Sequence, residues 1–280
     1  MVTVKDLSLD YAPKNKKTIA ALSQVNAEFE TGAISVIAGP SGCGKTSLIK
    51  IIAGLQKPSA GTVSVEGEAV LGVKKNTAVI FQDYGLLPWK TVMGNAQLPM
   101  LFSGEARFQR AARFPWAARF QRARRQRYEK AAFLLAKFGL KGFEKAYPGE
   151  LSGGMKQRLA IVRALLMQPK LLLMDEPFSS LDNVTREEAQ DFFLSVREEL
   201  QLTIIMISHS IEEAVYLADS IYVMTGRNPG TIGHCIHISR EGESHSRFRE
   251  SSRFNDYCSS LRKLLRPGAD GRGQNAEKIL

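Results

Sequence analysis

Apolar residues run along this chain in two rhythms, and each predicts a different element. "VTVKDLSLDY" (2–11) partly alternates apolar and polar, the pattern of a strand with one buried face. "AISVIAG" (33–39), "LLLMD" (171–175), "TIIMIS" (203–208) and "SIYVM" (220–224) are short, almost unbroken apolar runs. Such runs read as strands buried on both faces. "TVSVEG" and "TAVIFQ" are further strands, and "TIGHCIHI" adds an edge strand. Helical spacing marks 46–55, 154–166, a stretch near 185–200 and another near 211–218. Fully apolar strands alternating with helices predict an α/β fold, a parallel sheet covered on both faces.

Two segments leave this alternation. From about Asp83 to Glu150 the texture turns to Ala, Arg, Leu and Lys, which predicts an inserted helical subdomain. It holds three tandem hexapeptides, "ARFQRA" (106–111), "ARFPWA" (112–117) and "ARFQRA" (118–123). Six residues turn a helix by about 600°, so Phe108, Phe114 and Phe120 would point three ways rather than form a membrane-lying stripe. From Ser239 onward Ser, Arg, Glu and Gly dominate, and composition predicts poor order. Phe254, Tyr257, Leu261 and Leu264 nevertheless fall at helical spacing, so a short helix over 254–265 is expected to dock.

Charge sharpens the picture in one place. Of the net charge of +10, the segment from Ser103 to Lys130 supplies +7, with nine Lys/Arg against Glu105 and Glu129. The basic character therefore belongs to one segment, and arginine interleaved with aromatics there suits single-stranded nucleic acid or anionic head groups. A tandem duplication tolerated on a solvated surface is the plainer reading. No apolar run approaches the eighteen residues of a membrane span, and "MVTVKDLSLDYA" lacks the apolar core of a secretory signal, so a cytosolic chain is expected. Cys43, Cys235 and Cys258 are odd in number and show no metal spacing, which argues for reduced thiols.

The chemistry begins at "GPSGCGKT" (39–46), which fits G-x-x-x-x-G-K-[ST] between a strand and a helix. Gly39, Gly42 and Gly44 let backbone N–H groups, including those of Ser41 and Cys43, converge on phosphate oxygens. The helix N-terminus adds partial positive charge. Lys45 reaches the β/γ-phosphates, the Thr46 hydroxyl ligates Mg²⁺, and Ser47 hydrogen-bonds the α-phosphate. Cys43 occupies the loop's variable position and is read as a bystander in redox terms. "LLLMDEP" (171–177) then puts Asp175 and Glu176 where a buried strand meets the nucleotide edge of a sheet. Asp175 suits Mg²⁺ held through water, which leaves Glu176 to orient or deprotonate the attacking water. Alone, each motif also reads as a glycine turn or as two solvated carboxylates; together they point to a phosphate ligand and Mg²⁺.

"LSGGMKQR" (151–158) supplies a second glycine pair at a helix start. Gly153 and Gly154 leave that start bare, so the Ser152 hydroxyl, backbone N–H groups and the helix dipole can grip a phosphate. The P-loop, the Asp-Glu strand end and "LSGG" between them resemble the ATP-binding-cassette ATPases over roughly residues 1–235. The resemblance implies a P-loop NTPase core with a mainly parallel sheet, an N-terminal antiparallel β subdomain and the inserted helical subdomain (about 83–150, with the basic repeat insertion at 103–127), followed by a tail over 236–280. In that family the signature of one subunit closes on the γ-phosphate held by the other, so a homodimer is implied. Position by position, Gln82 looks like the Q-loop glutamine that senses Mg²⁺ and water, and His209 like the switch histidine at the γ-phosphate. Asp182 matches the loop that links the two ATP sites, and Tyr11 the aromatic that stacks on adenine. Ser210 stands where aspartate is common and Gly149 where histidine is frequent; neither change removes a catalytic group.

"LLPWKTV" (86–92), "MDEPFSSLD", "EAVYLADSIYVM" (213–224) and "RNPGTI" look like the nitrate, sulfonate and taurine importer branch. That resemblance implies an ATPase peripheral to the cytoplasmic face of the inner membrane, beneath permease subunits fed by a periplasmic solute-binding protein. The alternative is a cassette ATPase acting on nucleic acid through the Arg/aromatic segment 103–130. Against it, there is neither a second cassette nor a long coiled coil, and a nucleic-acid partner is disfavoured.

Overall fold

The computed structural model describes residues 1–12, 18–102, 116–226 and 228–266. Two sheets form its frame. One is antiparallel, in the order β2 (Ile19–Phe29), β1 (Val2–Tyr11), β4 (Ala60–Val65), β5 (Glu68–Ala69). The other has six strands in the order β10 (Thr231–His237), β9 (Ser220–Thr225), β3 (Ile34–Ala38), β8 (Thr203–Ile207), β7 (Leu171–Asp175), β6 (Thr77–Ile80). All its neighbours pair in parallel except β10, an antiparallel edge strand against β9.

The apolar runs become the central strands because both of their faces are covered. Leu171, Leu173, Ile205, Ile207, Tyr222 and Met224 face a core shared with α1 (Lys45–Ile52) and the antiparallel sheet. Their neighbours Leu172, Met174, Ile204, Met206, Ile221 and Val223 face a second core. That core is shared with α4 (Gly153–Leu165), α5 (Asn183–Leu200) and α6 (Ile211–Leu217). The period of two along a strand sends alternate side chains to opposite faces, so a strand with two cores reads as continuously apolar. α2 (Val92–Phe102) and α3 (Trp116–Lys137) pack against each other and α4 in the inserted subdomain. The first hexapeptide and most of the second fall outside the described residues; the third lies within α3.

Two expectations need correction. β2 is absent from the sequence reading. Val25, Ala27 and Phe29 do alternate with polar residues, but the register against β1 slips between Leu22 and Val25, where Gln24 adopts φ 48°. The slip breaks the period of two that reveals a strand. The segment after Ser239, expected to be poorly ordered apart from a helix over 254–265, carries that helix as α8 (Ser252–Leu264), and α7 (His245–Arg249) precedes it. Its serines are helix caps: Ser244 Oγ accepts from Arg247 N–H and Ser251 Oγ from Phe254 N–H. Phe248, Phe254, Cys258 and Leu261 are buried in the core beside α6. A polar composition thus conceals a narrow apolar face. Residues 267–280 fall outside the described part of the chain.

Candidate functional site

The P-loop leaves β3 at Ala38 and turns into α1 at Lys45. Gly44 caps that helix at φ 94°, and a Cβ there would lie 2.5 Å from Leu22 Cδ2. Only glycine meets both conditions. From below, the loop between β9 and β10 presses against it. A Cβ on Gly230 would stand 1.9 Å from the Cys43 carbonyl oxygen. Gly230 N–H donates to Ala21 O at 3.0 Å, and Ser23 N–H donates to Gly230 O at 3.1 Å. The cradle is therefore fixed by backbone groups of β2 and of the β9–β10 loop.

A cavity of about 390 Å³ opens over this cradle. Ser41, Gly42, Gly44, Lys45, Thr46 and Ser47 form its floor. Lys45 is 5 % exposed, and its ammonium donates to Gly39 O and Pro40 O, both at 2.8 Å, with Cys43 Sγ at 3.9 Å. The charge is thus stored against neutral carbonyls that a phosphate can outbid. Cys43 itself is buried, and burial pushes its thiol above the ordinary range, so its side chain is a poor nucleophile. Tyr11 ends β1 at the cavity wall, where its hydroxyl lies 3.0 Å from Ser47 Oγ and 3.2 Å from Gln56 Oε1.

The opposite wall carries Glu176 and His209. Their strands, β7 and β8, are parallel neighbours with Asp175 beside Ile207, so both turns leave the same sheet edge. Glu176 takes φ 51° and its N–H donates to Ile207 O at 3.2 Å. His209 Nε2 makes a close contact with Glu176 Oε1. Asp175, the last residue of β7, is buried. Burial raises its carboxyl above the ordinary range, against the lowering effect of Thr46. The Thr46 hydroxyl and the Asp175 carboxylate are oxygen-only donors, the chemistry that suits Mg²⁺.

Ser152, Gly153, Gly154 and Asp182 are not among the cavity-lining residues. They form a second cluster where α4 meets α5. Ser152 Oγ accepts from Met155 N–H at 3.3 Å and caps α4; Asp182 Oδ1 accepts from Thr185 N–H at 3.0 Å and caps α5. That backbone donor lowers the Asp182 carboxyl below its ordinary range. A Cβ on Gly154 would lie 2.8 Å from Thr185 Cγ2, so the glycine pair also lets α5 approach. Gln82 joins neither cluster. β6 stops at Ile80, and Gln82 is exposed in the turn that follows. That turn is nonetheless tied to the Glu176 loop, because the Tyr84 hydroxyl lies 2.7 Å from Ser180 Oγ and donates to Pro177 O at 3.3 Å.

Sequence reasoning missed Asn228, Ile19 and Ala21, which complete the cavity wall, and Tyr84. Asn228 and Ala21 belong to segments whose contact with the P-loop no local pattern announces. Glycine at 230, next to Asn-Pro, was the available signal of a close backbone approach.

The profile of the ABC transporter family matches residues 22–179. The nitrate import ATP-binding protein NrtD of Synechocystis sp. is 36 % identical over 269 residues, 94 % of each chain. The taurine import ATP-binding protein TauB of Yersinia pestis is 37 % identical over 83 % of this chain and 82 % of its own. The aliphatic sulfonates import ATP-binding protein SsuB of Bacillus cereus is 37 % identical over 84 % and 85 %. Among solved structures, the dimeric post-hydrolysis state of the ATP-binding cassette MJ0796 bound to ADP and Pi superposes with a TM-score of 0.70 at 28 % identity, covering 85 % of this chain and 99 % of that one. The chain therefore belongs to the ABC transporter family, as one of its ATP-hydrolysing nucleotide-binding chains.

Proposed function

We propose that this chain powers a membrane importer for a small solute of the nitrate, sulfonate or taurine kind, working as a homodimer peripheral to the cytoplasmic membrane face. The observation that carries the reading is the separation of two half-sites on one chain. The cavity offers a phosphate cradle and a hydrolytic wall, while the Ser152–Gly154 cluster offers a second set of phosphate donors elsewhere. Two copies facing each other complete two sites. Permease subunits and a periplasmic solute-binding protein complete the transporter, and the relatives' import roles support that assignment. We divide the chain into an ATPase domain over 1–235 and a C-terminal segment over 236–280.

In the reaction, Lys45 leaves the carbonyls of Gly39 and Pro40 for the β/γ-phosphates. Ser47 and the P-loop backbone hold the remaining phosphate oxygens, and Tyr11 stacks on the base. Thr46 and Asp175, with Gln82 brought in from its turn, would hold Mg²⁺, which neutralises phosphate charge. Glu176 accepts a proton from the attacking water, and His209 holds Glu176 and the γ-phosphate in line. Oxygen from water bonds to the γ-phosphorus as the bond to the β–γ bridging oxygen breaks, giving ADP and phosphate. Asp182 links the closing signature to the opposite site. The alternative of a nucleic-acid ATPase rests on segment 103–130 alone and gains nothing from the relatives, which are import proteins.

Glu176→Gln is expected to keep ATP binding, lower turnover by about 10²–10⁴ and accumulate an ATP-bound dimer visible by light scattering. Lys45→Ala is expected to lose the dimer because it loses the nucleotide. A Glu176→Gln chain that stays monomeric in saturating ATP would overturn the half-site reading.

A further inference from the structure

The C-terminal helices reach the hydrolytic wall through one line of side chains. Arg249, the last residue of α7, packs its guanidinium 3.5 Å from the Tyr216 ring centroid. It also pairs with Glu187 at 3.2 Å and donates to Gln190 Oε1 at 2.8 Å. Gln190, on α5, is 3 % exposed and donates in turn to Glu213 Oε2 at 3.1 Å. Glu213, on α6, is 7 % exposed. The Ser208 hydroxyl donates to Ser210 O at 3.1 Å and accepts from Ser210 N–H at 3.1 Å. These bonds close the turn whose middle residue is His209. Glu213 N–H donates to Ser210 Oγ at 3.1 Å and fixes the far side of the same turn.

The path is therefore continuous from α7 to the residue that touches Glu176. Its middle members are buried amide and carboxyl groups, for which each partner lost leaves the next one unsatisfied. A cavity of about 370 Å³ lies along the path, lined in part by Arg186, Gln190, Ser210, Glu213 and Arg249. The links are thus held by hydrogen bonds more than by close packing on every side.

We propose that Arg249, Gln190 and Glu213 form a positioning relay by which docked α7 sets the placement of His209 against Glu176, and so the rate of ATP hydrolysis. The relay rests on the roles of Glu176 and His209 given above. Arg249 is a positioning residue: it does not line the cavity over the P-loop. The C-terminal segment is then part of the ATPase, and anything that lifts α7 slows turnover while leaving the phosphate cradle intact.

The test uses the full-length chain and the release of labelled phosphate in steady state and single turnover. Arg249→Ala is expected to lower kcat about three- to tenfold with the KM for ATP held within about twofold, since displacement of a catalytic group acts on the chemical step. On a His209→Ala background the same substitution is expected to have no further effect, because the relay ends at that side chain. Arg253→Ala is the control: it removes ion pairs with Glu241 and Glu243 inside the segment and is expected to leave kcat unchanged. A wild-type kcat in Arg249→Ala, or an equal loss with and without His209, overturns the relay. If Arg249→Ala does not fold, the isosteric Glu213→Gln carries the same two comparisons. Full turnover by Glu176→Gln overturns instead the ATPase reading beneath it, so the two failures are distinct.

Discussion

The phosphate cradle and the C-terminal helix pair are fastened by different means. The cradle is held backbone against backbone: a Cβ on Gly230 would meet Cys43 O at 1.9 Å, and one on Gly44 would meet Ala21 O at 2.9 Å. The helix pair is held by side chains. Phe248 and Leu261 are fully buried, and Arg240, Arg249 and Arg262 reach back to Asp219, Glu187 and Glu212 on the core. Arg240 adds bonds to Tyr216 O at 3.1 Å and Ala218 O at 2.6 Å and lies 5.5 Å from the Phe248 ring centroid. Backbone contacts tolerate no added atom, whereas side-chain contacts weaken by degrees. The cradle should therefore fail abruptly under substitution and the helix pair gradually.

The largest effect expected on the cradle side comes from Lys45→Ala. Removing the lysine that the loop holds against Gly39 O and Pro40 O should cost about 10²–10³ in kcat/KM, measured by phosphate release, with the melting temperature nearly unchanged. On the opposite side, Leu261→Ala empties a buried site between α8 and the core. It is expected to destabilise the chain by about 2–5 kcal/mol and to lower Tm by roughly 2–4 °C per kcal/mol, while ATP affinity by titration stays constant. An affinity loss as large as that of a cradle variant would erase the contrast between the two regions.

Gly230→Ala sharpens the comparison from the other direction. Its added carbon has no room, so a destabilisation of about 1–3 kcal/mol is expected together with weaker ATP binding. Gly149→Ala, whose Cβ would meet nothing within 4 Å, is expected to change neither. The smallest effect concerns Glu213, where the two regions join. Burial raises its carboxyl above the ordinary value of 4.5, with Glu176 adding to the rise and Ser208, Gln190 and Arg186 opposing it. The folded chain thus holds this proton to higher pH than the unfolded one. Its contribution to stability is full below the unfolded value and is lost as pH rises through the folded value. The Tm of the wild type, relative to Glu213→Gln, should accordingly fall as pH is raised through the window above 4.5. A difference that grows with pH would show that the hydrogen bonds to the charged form outweigh burial.

Legibility followed the same division. "GPSGCGKT", "LLLMDEP" and "LSGGMKQR" are short because each must shape one loop or one helix start, and local spacing carries that information. The central strands were legible because two cores demand apolar residues at every position. β2 was not, because the slip at Gln24 shifts the alternation halfway along the strand. α7 was hidden by a composition of Ser, Arg and Glu whose members turned out to be caps and ion pairs, whereas α8 was legible from its helical spacing. Their apolar face is narrow, and only Phe254, Tyr257, Leu261 and Leu264 announced part of it.

What the sequence determined by itself is therefore the set of local devices: which loop is rich in glycine between a strand and a helix, which strand ends in two acids, which helix starts bare. Only the tertiary structure decided which devices meet. It put His209 against Glu176, pressed Gly230 under the P-loop, left the Ser152–Gly154 cluster away from the cavity, and laid Arg249 on the path to the hydrolytic wall. The physical reason is that spacing along a chain encodes the geometry of one turn of backbone, whereas contacts between distant segments depend on how the whole sheet and its two cores pack.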